Sequence, residues 1–592
     1  MTDPLPAGAP SPGAATPEVA DINAERIAPD LAAPGPLILG PLLRYVDETS
    51  ATLWMEFDRP GTVEVLGSST STFTVRGRSY ALVVIENLDP GTTTSYEVRF
   101  DQQLVWPEPI PEGAEVSFPP SVIRTPSPDR DVAIVVGSCR ASAPHVVPFT
   151  LERAFDHEGR GVDSLWARAM ALAEGSTEEL PDLLLFVGDQ IYADDSSPRT
   201  RERIDTVRAH DPGSVDLDPA IVASFEEYAW LYHEAWSSPY ERWLLSTVPS
   251  AMIFDDHDMI DDWNISEAWV TDIRTEPWWQ RHVIGGLTSY LIYQHLGNLS
   301  PVQLREQGWL ERLPALADAT EELERWALDS EAATPLPGGY RFSFRRDVGD
   351  VTVVVIDTRN ARVLDEGRRR MVGDDEWAWI EAEAHSARRH LVLATTLPVF
   401  VGAGLHDLQV WNEQVCAGRW GRRAAAVGER VRRHLDLEHW AAFGESYRAF
   451  CRLLTELGRH GQLESIVVAA GDIHFSYAAR VEVVEAAGGP PVWQVVSSPM
   501  RNALIPFERG VLRASLTKAG RAAGAALRAS VRSGPPPPGI EPATGPHFAN
   551  NLCTLHYDPS GVNLEIDHYE ATTDGRPDQE RVAQVQIAGR PA

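Results

Sequence analysis

Four short polar segments contain the residue types that hold metal ions and move protons. They are GSCRAS at 137–142, GDQIYADD at 188–195, DDHDMIDDWN at 255–264 and GDIHFS at 471–476. Carboxylates, imidazoles, thiols and phenols bind cations, and histidine is the most frequent general acid of enzymes. Any one GD or His is about as often a turn or a satisfied polar group. Their joint presence favours a single metal site.

Such a set of residues suits the hydrolysis of phosphate esters. A carboxylate that bridges two cations about 3.5–4 Å apart holds a centre that clamps the attacking and leaving oxygens of a phosphoryl displacement. Asp189 is the candidate bridge. Water activated by the metals attacks phosphorus directly, so this chemistry needs no protein nucleophile.

The polar segments follow apolar runs that predict buried strands. These runs are VAIVV (132–136), DLLLFV (182–187), AMIF (251–254), VTVVVI (351–356), LVLA (391–394), SIVVAA (465–470) and VWQVV (492–496). Strands buried on both faces are typical of the interior of an α/β sandwich. In open α/β sheets, sites form at the carboxyl ends of the strands. We therefore expect the four polar segments to converge on one crevice.

The order GD, then D-H-D, then GD-x-H resembles the calcineurin-like metallophosphoesterases. The segments GSCR, GDQIYAD and FDDHD together resemble their PhoD-like (alkaline phosphatase D) branch. Further similar segments are IDTRNAR at 356–362, DEWAWIEAE at 375–383, ATTLPVF at 394–400 and LEHWAAFGESYRAFCRLL at 437–454. The resemblance implies an α/β fold, a metallophosphoesterase αββα sandwich. It also implies hydrolysis of phosphomonoesters, phosphodiesters or both by in-line attack of a metal-bound hydroxide.

The resemblance implies a first metal bound by a thiol, a phenol, an imidazole and a carboxylate. Cys139 stands where many relatives have the Asp of a D-x-H motif. Its partners would be Asp189, Tyr192 and His474. A thiolate and a phenolate suit a softer or ferric ion better than magnesium or calcium. We therefore expect ferric iron at this position of a dinuclear or multinuclear centre.

A second metal would be bound by carboxylates alone. Asp189 would contribute again, together with Asp256 and Asp472, and Asp255 is a further candidate. Oxygen donors of this kind suit hard cations. The family resemblance favours calcium, with manganese or magnesium as alternatives.

Catalytic roles are also carried over from the family. His257 stands in the place of the catalytic histidine and would protonate the leaving alkoxide, with Asp258 orienting its ring and raising its pKa. Arg140 would stabilise charge on the phosphoryl oxygens. Arg359 and Arg362 also follow a strand, but ion pairs with a neighbouring helix are the favoured interpretation.

Four other acids near the motifs are interpreted as solvated loop residues or helix caps. These are Asp194, Asp195, Asp261 and Asp262. The last two stand where family members often have an Asn pair, so the resemblance specifies the second metal's ligands less completely than the first metal's.

The composition changes along the chain and predicts five parts. They are a disordered Ala/Pro-rich tail (1–36), an Ig/fibronectin-like antiparallel β-sandwich (37–127), the PhoD-like metallophosphoesterase domain (128–508), a basic Ala-rich helix with a Pro linker (509–540), and a C-terminal hairpin returning to the catalytic domain, followed by a tail (541–592). The sandwich is interpreted as a packing domain. The aromatic insertions at 196–248 and 265–340 are more typical of packing cores than of cleft walls.

The net charge of −33 argues against nucleic acid as a ligand. The expected ligand is a phosphate-ester small molecule or a lipid headgroup, with no obligate protein partner.

Four widely spaced cysteines do not indicate a disulfide framework. The first residues lack the features of a secretory signal and no apolar run reaches about 18 residues, so a cytoplasmic location is expected. For residues 509–532, a docked surface helix is favoured over contact with an anionic membrane.

Two other classes of protein are compatible with parts of the pattern. A non-catalytic binding or scaffold protein could retain the fold, although the retention of every proposed ligand argues against it. An oxygen-activating iron enzyme would use two histidines and one carboxylate. The Cys, Tyr and multiple-Asp set fits that site poorly.

Overall fold

The computed structural model describes residues 35–108, 118–127, 130–175, 180–210, 215–333, 340–482, 489–504, 517–534, 537–572 and 576–589. The strands are β1 (Leu37–Val46), β2 (Ser50–Phe57), β3 (Thr62–Val65), β4 (Ser68–Ser71), β5 (Phe73–Val75), β6 (Arg78–Glu86), β7 (Thr93–Ser95), β8 (Val98–Phe100), β9 (Gln103–Trp106), β10 (Val122–Arg124), β11 (Val132–Gly137), β12 (Leu183–Val187), β13 (Ser250–Ile253), β14 (Phe344–Val348), β15 (Val351–Ile356), β16 (His390–Thr395), β17 (Ser465–Ala470), β18 (Ser476–Val481), β19 (Val492–Val496), β20 (Ile540–His547), β21 (Asn551–Asp558), β22 (Gly561–Ala571) and β23 (Pro577–Gly589).

The α-helices are α1 (Ser164–Glu174), α2 (Pro198–His210), α3 (Phe225–Trp236), α4 (Pro239–Thr247), α5 (Glu267–Ile273), α6 (Trp279–Ser289), α7 (Pro301–Glu306), α8 (Trp309–Ala315), α9 (Thr320–Ala332), α10 (Asp374–His385), α11 (Ala403–Cys416), α12 (Arg422–His434), α13 (Gly444–His460) and α14 (Lys518–Ser530). A π-helical segment, Tyr290–His295, continues α6. None of the helices within the described ranges is both long and apolar enough to cross a membrane.

Two large sheets form the centre of the molecule. One has six strands in the order β13-β12-β11-β21-β22-β23, and the other has seven in the order β14-β15-β16-β17-β19-β18-β20. The first three strands named in the six-stranded sheet are parallel, as are β15, β16, β17 and β19. All seven apolar runs that predict strands form these parallel strands.

The alternation of side chains along β11 shows how the layers pack. Ile134 and Val136 lie in one apolar cluster with Val353 of the other sheet. Val135, between them, lies in a second cluster with Trp166 of α1. Successive side chains of a strand point to opposite faces, so the first cluster fills the space between the sheets and the second lies under helices. The predicted αββα sandwich is confirmed.

The N-terminal sandwich is buried on both faces of its main sheet, which has the order β1-β2-β6-β5. Leu53 and Val83 belong to the sandwich's own core. Trp54 and Leu82, one position along each strand, belong instead to the cluster that contains Tyr293 of the large domain. Every residue of β2 is therefore buried. The antiparallel sandwich is present as predicted, and its second face is packed against the large domain.

The C-terminal strands are part of the central architecture. β21 pairs antiparallel with β11, with Val136 opposite Cys553, so it lies inside the six-stranded sheet. The basic helix α14 packs against α11, where Arg528 lies 2.8 Å from the carboxylate of Asp407. The predicted tail up to residue 34 and the start of the basic segment up to residue 516 lie outside the described residues.

Arg44 of β1 ties the sandwich to the large domain. Its side chain is fully buried and donates to the carbonyl oxygens of Ser250 (3.3 Å), Tyr293 (2.8 Å) and Gln294 (2.7 Å), and to Oδ1 of Asn298 (3.2 Å). Buried acceptors that lose their donor retain the cost of desolvation. The guanidinium therefore satisfies four groups that no water reaches.

We expect Arg44→Met to lower the free energy of unfolding by about 3 kcal/mol, because the methionine removes four hydrogen bonds to buried acceptors. The matched control is Arg76→Met at the rim of the same interface. Arg76 pairs with Glu324 but its side chain is 56% exposed, and exposed pairs contribute about 1 kcal/mol or less. Urea denaturation measures both, and equal losses would contradict the anchoring role of Arg44.

Candidate active site and metal centre

The predicted site residues meet at the carboxyl ends of four strands. Cys139 follows β11, Asp189 follows β12, Asp255 follows β13 and Asp472 follows β17. Gly471 allows the two sheets to approach, since a Cβ there would lie 2.4 Å from Oγ of Ser138 and 2.8 Å from the carbonyl oxygen of Val187. The GD sequence thus combines a glycine required by packing with a carboxylate at the strand end.

Four of the predicted ligands adopt a left-handed backbone. The φ angles are 56° for Cys139, 48° for Asp189, 66° for Asp472 and 53° for His474. Positive φ is uncommon outside glycine, and such strain is concentrated at functional sites. Each of these residues turns the chain just beyond a strand, which aims its side chain into the crevice between the sheets.

The first ligand group is formed by Cys139, Asp189 and His474, whose ligand atoms lie within 4.8 Å of one another. Burial raises the pKa of the Cys139 thiol well above its usual value, and Asp189 and Asp472 raise it further. Burial lowers the pKa of His474 to about 4, so its imidazole is neutral and has a lone pair for a metal.

Tyr192 lies beside this first group. Its hydroxyl accepts a hydrogen bond from Nδ2 of Asn502 (3.0 Å), and its ring stacks on that of His257 with centroids 4.6 Å apart. Burial raises the pKa of the phenol well above its usual value, and the nearby Cys139 and Asp189 add to this shift. Thiol, phenol and imidazole donors together are the ligands of a softer or ferric ion.

The second group consists of Asp189, Asp255, Asp256 and Asp472, again with ligand atoms within 4.8 Å of one another. Both carboxylate oxygens of Asp189 are buried and lack a hydrogen-bond partner among the described residues, as does Oδ2 of Asp255. Burial raises the pKa of Asp189 well above its usual value, and neighbouring carboxylates add to this. A buried carboxylate without a partner is costly, and a shared cation removes that cost. The residues therefore fit a metal centre bridged by Asp189.

Arg359 is part of this second group, contrary to the prediction that it pairs with a neighbouring helix. Its fully buried guanidinium contacts Oδ1 of Asp255 and lies 3.1 Å from Oδ1 of Asp256. It also lies 3.8 Å from Oδ1 of Asp472 and donates to Glu438 at 2.6 Å. Arg362 pairs with the same glutamate. The guanidinium charge only partly neutralises the carboxylates of this group.

His257 is held by Asp194, whose two carboxylate oxygens lie 2.9 and 3.0 Å from Nδ1 of the ring. Burial alone would lower the pKa of His257, but Asp194 and Asp256 raise it well above its usual value. An imidazole fixed through Nδ1 presents Nε2 to the cleft as a proton donor. Asp194 is therefore the orienting residue, although the sequence indicated only a loop acid.

Asp258 does not orient His257 as predicted. Its Oδ2 accepts the backbone N–H of Asp255 (2.9 Å), and its Oδ1 accepts from Nε2 of Gln294 (3.2 Å) and from the N–H of Ile191 (3.4 Å). The carboxylate therefore points away from His257 and accepts hydrogen bonds from backbone N–H groups of its own and a neighbouring loop. Its role is to fix the loop that bears the second ligand group.

Arg140 also departs from its predicted role. Its side chain is buried, donates to Oδ2 of Asp163 (2.9 Å) and pairs with Glu241. Its backbone N–H donates to the carbonyl oxygen of Asp189 (2.9 Å). Two buried carboxylates hold the guanidinium, so it is not available to a phosphoryl group.

Two further residues near the centre were not predicted from the sequence. Nε2 of His439 lies 4.0 Å from Oδ2 of Asp472, and burial lowers the pKa of this histidine to about 4. Asp261 has a ligand atom within 4.8 Å of Asp256 and His257. His439 lies in the segment 437–454, whose sequence resembles the family, but no role was predicted for this histidine.

The fold and these ligand groups define a metallophosphoesterase-type α/β protein. Residues 166–526 match the family model of the PhoD-like phosphatases, and the chain belongs to that family. The resemblance predicted from the motifs is confirmed. Residues 35–123 match a domain of unknown function, DUF7800.

The fold agrees with that of a solved structure. A structure described as "Structure of PhoD" has 13% sequence identity, covers 95% of this chain and 92% of its own, and gives a TM-score of 0.56. Another, "GAP50 the anchor in the inner membrane complex of Plasmodium", has 7% identity over 78% of this chain and 90% of its own, with a TM-score of 0.34. No curated protein matches the chain.

We expect Asp189→Asn to stabilise the metal-free protein. The pKa of Asp189 is raised on folding, so its charge opposes folding at any pH above the unfolded value of about 4. The uncharged amide removes this penalty. Thermal melts in a chelator should show a higher Tm for the variant, whereas added metal should raise the Tm of the wild type only.

Asp374→Asn provides the control, because this side chain is 80% exposed in the first turn of α10. It should retain the metal response of the wild type. A chelator-treated Asp189→Asn that melts below the wild type would contradict the bridging role.

Proposed function

We propose that this chain is a metal-dependent hydrolase that cleaves phosphomonoesters, phosphodiesters or both by in-line attack of water. The observation that carries the proposal is the buried carboxylate of Asp189, shared by two ligand groups and adjacent to the His257–Asp194 pair. Family membership supports phosphate-ester chemistry. The substrates that suit this site are a small phosphate ester or a lipid headgroup.

The proposed metals follow from the donor atoms. Cys139, Tyr192 and His474 favour ferric iron, and the carboxylates of Asp256 and Asp472 favour calcium, with manganese or magnesium as alternatives. When bound, such cations would acidify water and neutralise charge on the phosphoryl oxygens.

The protein's own groups would position the reactants and move one proton. His257, fixed by Asp194, would donate its Nε2 proton to the leaving oxygen as the P–O bond breaks. Arg359 would hold Asp255 and Asp256 in place, because its guanidinium contacts both carboxylates. The leaving group would therefore depart on the His257 side of the crevice.

The first experiment combines elemental analysis with turnover of 4-nitrophenyl phosphate and bis(4-nitrophenyl) phosphate. We expect bound iron and calcium in the wild type, and loss of both the metals and at least about 100-fold of kcat in Asp189→Ala. Asp374→Ala is the control and should keep the wild-type values. A wild type that binds no metal and hydrolyses neither ester would overturn the proposal in favour of a scaffold protein.

We expect Asp194→Asn to affect poor leaving groups selectively. Because Asp194 positions the proton donor, its loss should reduce kcat for an alkyl phosphate by about 100-fold. The 4-nitrophenolate leaving group needs little protonation, so its turnover should fall much less. Steady-state kinetics on 4-nitrophenyl phosphate and ethyl phosphate measures the difference. Equal losses on both esters would show that Asp194 acts on something other than proton donation.

A further inference from the structure

The segment 419–433 concentrates positive charge in a protein whose net charge is −33. It contains six arginines and a single acidic residue, Glu429. It forms the turn before α12 and nearly all of that helix, Arg422–His434. The local charge is therefore opposite to that of the whole chain, in which acidic residues outnumber basic ones by 85 to 52.

Two of the six arginines hold α12 on the protein. Arg432 is fully buried and donates to Glu366 (2.6 Å) and to Glu429 (2.9 Å). Nη1 of Arg433 lies 2.9 Å from Oδ2 of Asp272. The acidic residues near the helix are thus engaged on its inner side, and they leave the charge of the outer side uncompensated.

The other four arginines lie on the outer side of α12 and on the turn before it. Arg423, Val427 and Arg430 recur at i, i+4 and i+7, so they share one face of the helix. Gly428 lies on the opposite face, where a Cβ would be 3.0 Å from Sγ of Cys416 on α11. The exposed residues form the arginine face, which consists of Arg419, Trp420, Arg422, Arg423, Val427 and Arg430. None of its four guanidiniums forms an ion pair with an acid in the described ranges.

Two large apolar side chains are exposed among these arginines. Trp420 is 49% exposed and Val427 is 56% exposed. The ring of Trp420 packs against that of Trp411, with centroids 5.8 Å apart and planes at 65°. Tryptophan is enriched at membrane–water interfaces, and arginine reaches past apolar groups to place its charge at the headgroups. An anionic bilayer satisfies both kinds of side chain, whereas an acidic polymer in water offers only charge.

The arginine face is rigidly connected to the loops of the metal centre. Oε1 of Glu429 accepts the hydroxyl of Ser266, which lies just beyond the loop of the second ligand group. On the neighbouring α11, Nε2 of Gln409 lies 2.9 Å from Nδ1 of His439, which stands beside the same group. Only the body of α12 separates the arginine face from Ser266. A surface bound to this face would therefore lie close to the crevice.

We propose that the arginine face docks this protein on an anionic phospholipid surface. Arg422, Arg423 and Arg430 contact lipid phosphates, and the ring of Trp420 enters the headgroup layer. Each arginine near an anionic bilayer increases partitioning about 5-fold. The acidic remainder of the protein opposes docking little, because charges farther from the bilayer than a Debye length of about 8–10 Å are screened. This docking goes beyond the proposed hydrolysis and is measured without turnover.

The test is co-sedimentation of the full chain with vesicles of phosphatidylcholine, alone or mixed with phosphatidylglycerol. We expect binding to the mixed vesicles only, and its loss near 1 M salt, where the Debye length is about 3 Å. The triple variant Arg422→Gln, Arg423→Gln and Arg430→Gln should bind about 100-fold more weakly, because three arginines each contribute about 5-fold.

A matched triple variant changes the net charge equally at another place. It replaces exposed, paired arginines whose side chains are 47%, 45% and 77% exposed, namely Arg59→Gln, Arg99→Gln and Arg368→Gln. It should bind the mixed vesicles as the wild type does. Melting curves establish that both variants are folded. Equal binding by the two triple variants would overturn the arginine face as the docking site.

Two further measurements separate the lipid from other acidic partners. Trp420→Ser should weaken binding to the mixed vesicles and leave any binding to polyglutamate unchanged. Polyglutamate bound as tightly as the vesicles, with no effect of Trp420→Ser on either, would assign the face to an acidic polymer and overturn the proposal. Sedimentation velocity that shows self-association lost in the Arg422, Arg423 and Arg430 variant, without vesicle binding by the wild type, would assign the face to a second copy of the chain instead.

Discussion

The buried carboxylate of Asp189 is the constraint on which the rest of the site depends. Neither of its oxygens has a hydrogen-bond partner among the described residues, and three other carboxylates lie within ligand distance of it. Concentrating negative charge in a buried place is unfavourable unless cations are present. The left-handed turns at Cys139 and Asp472 also cost free energy. A metal centre held by these residues would offset these costs.

The N-terminal sandwich is connected to this centre by a continuous chain of hydrogen bonds. Arg44 donates to the carbonyl oxygen of Gln294 (2.7 Å), and the Gln294 side chain donates to Asp258 (3.2 Å). Asp258 accepts the N–H of Asp255, a member of the second ligand group (2.9 Å). Gln294 belongs to the π-helical segment Tyr290–His295, and π-bulges are frequent at functional sites. The sandwich therefore supports the loop of the second ligand group in addition to covering apolar surface.

The sequence predicted the strands and the candidate ligands better than the contacts of individual charged side chains. Continuous apolar runs such as VTVVVI (351–356) form strands with the same bounds, because burial on both faces leaves a strong pattern. Whether Asp194 or Asp258 orients the ring of His257 depends on which of the two carboxylates the loop turns towards that ring. Sequence spacing does not specify the direction of a side chain. Arg140 was misassigned because its partner Asp163 is distant along the chain. The metal-binding roles themselves stay predictions.

The charges of the two ligand groups favour two different ions. Cys139 and Tyr192 carry negative charge only as thiolate and phenolate, and burial opposes both ionisations. An ion of high charge compensates that cost better than a divalent one does. In the second group, the guanidinium of Arg359 contacts Asp255 and Asp256, so three unshared carboxylates and one arginine leave a net charge of about −2. That charge matches a divalent cation. The placement of Arg359 is therefore consistent with the proposal of a divalent ion at the group it enters and a trivalent ion at the group it does not reach.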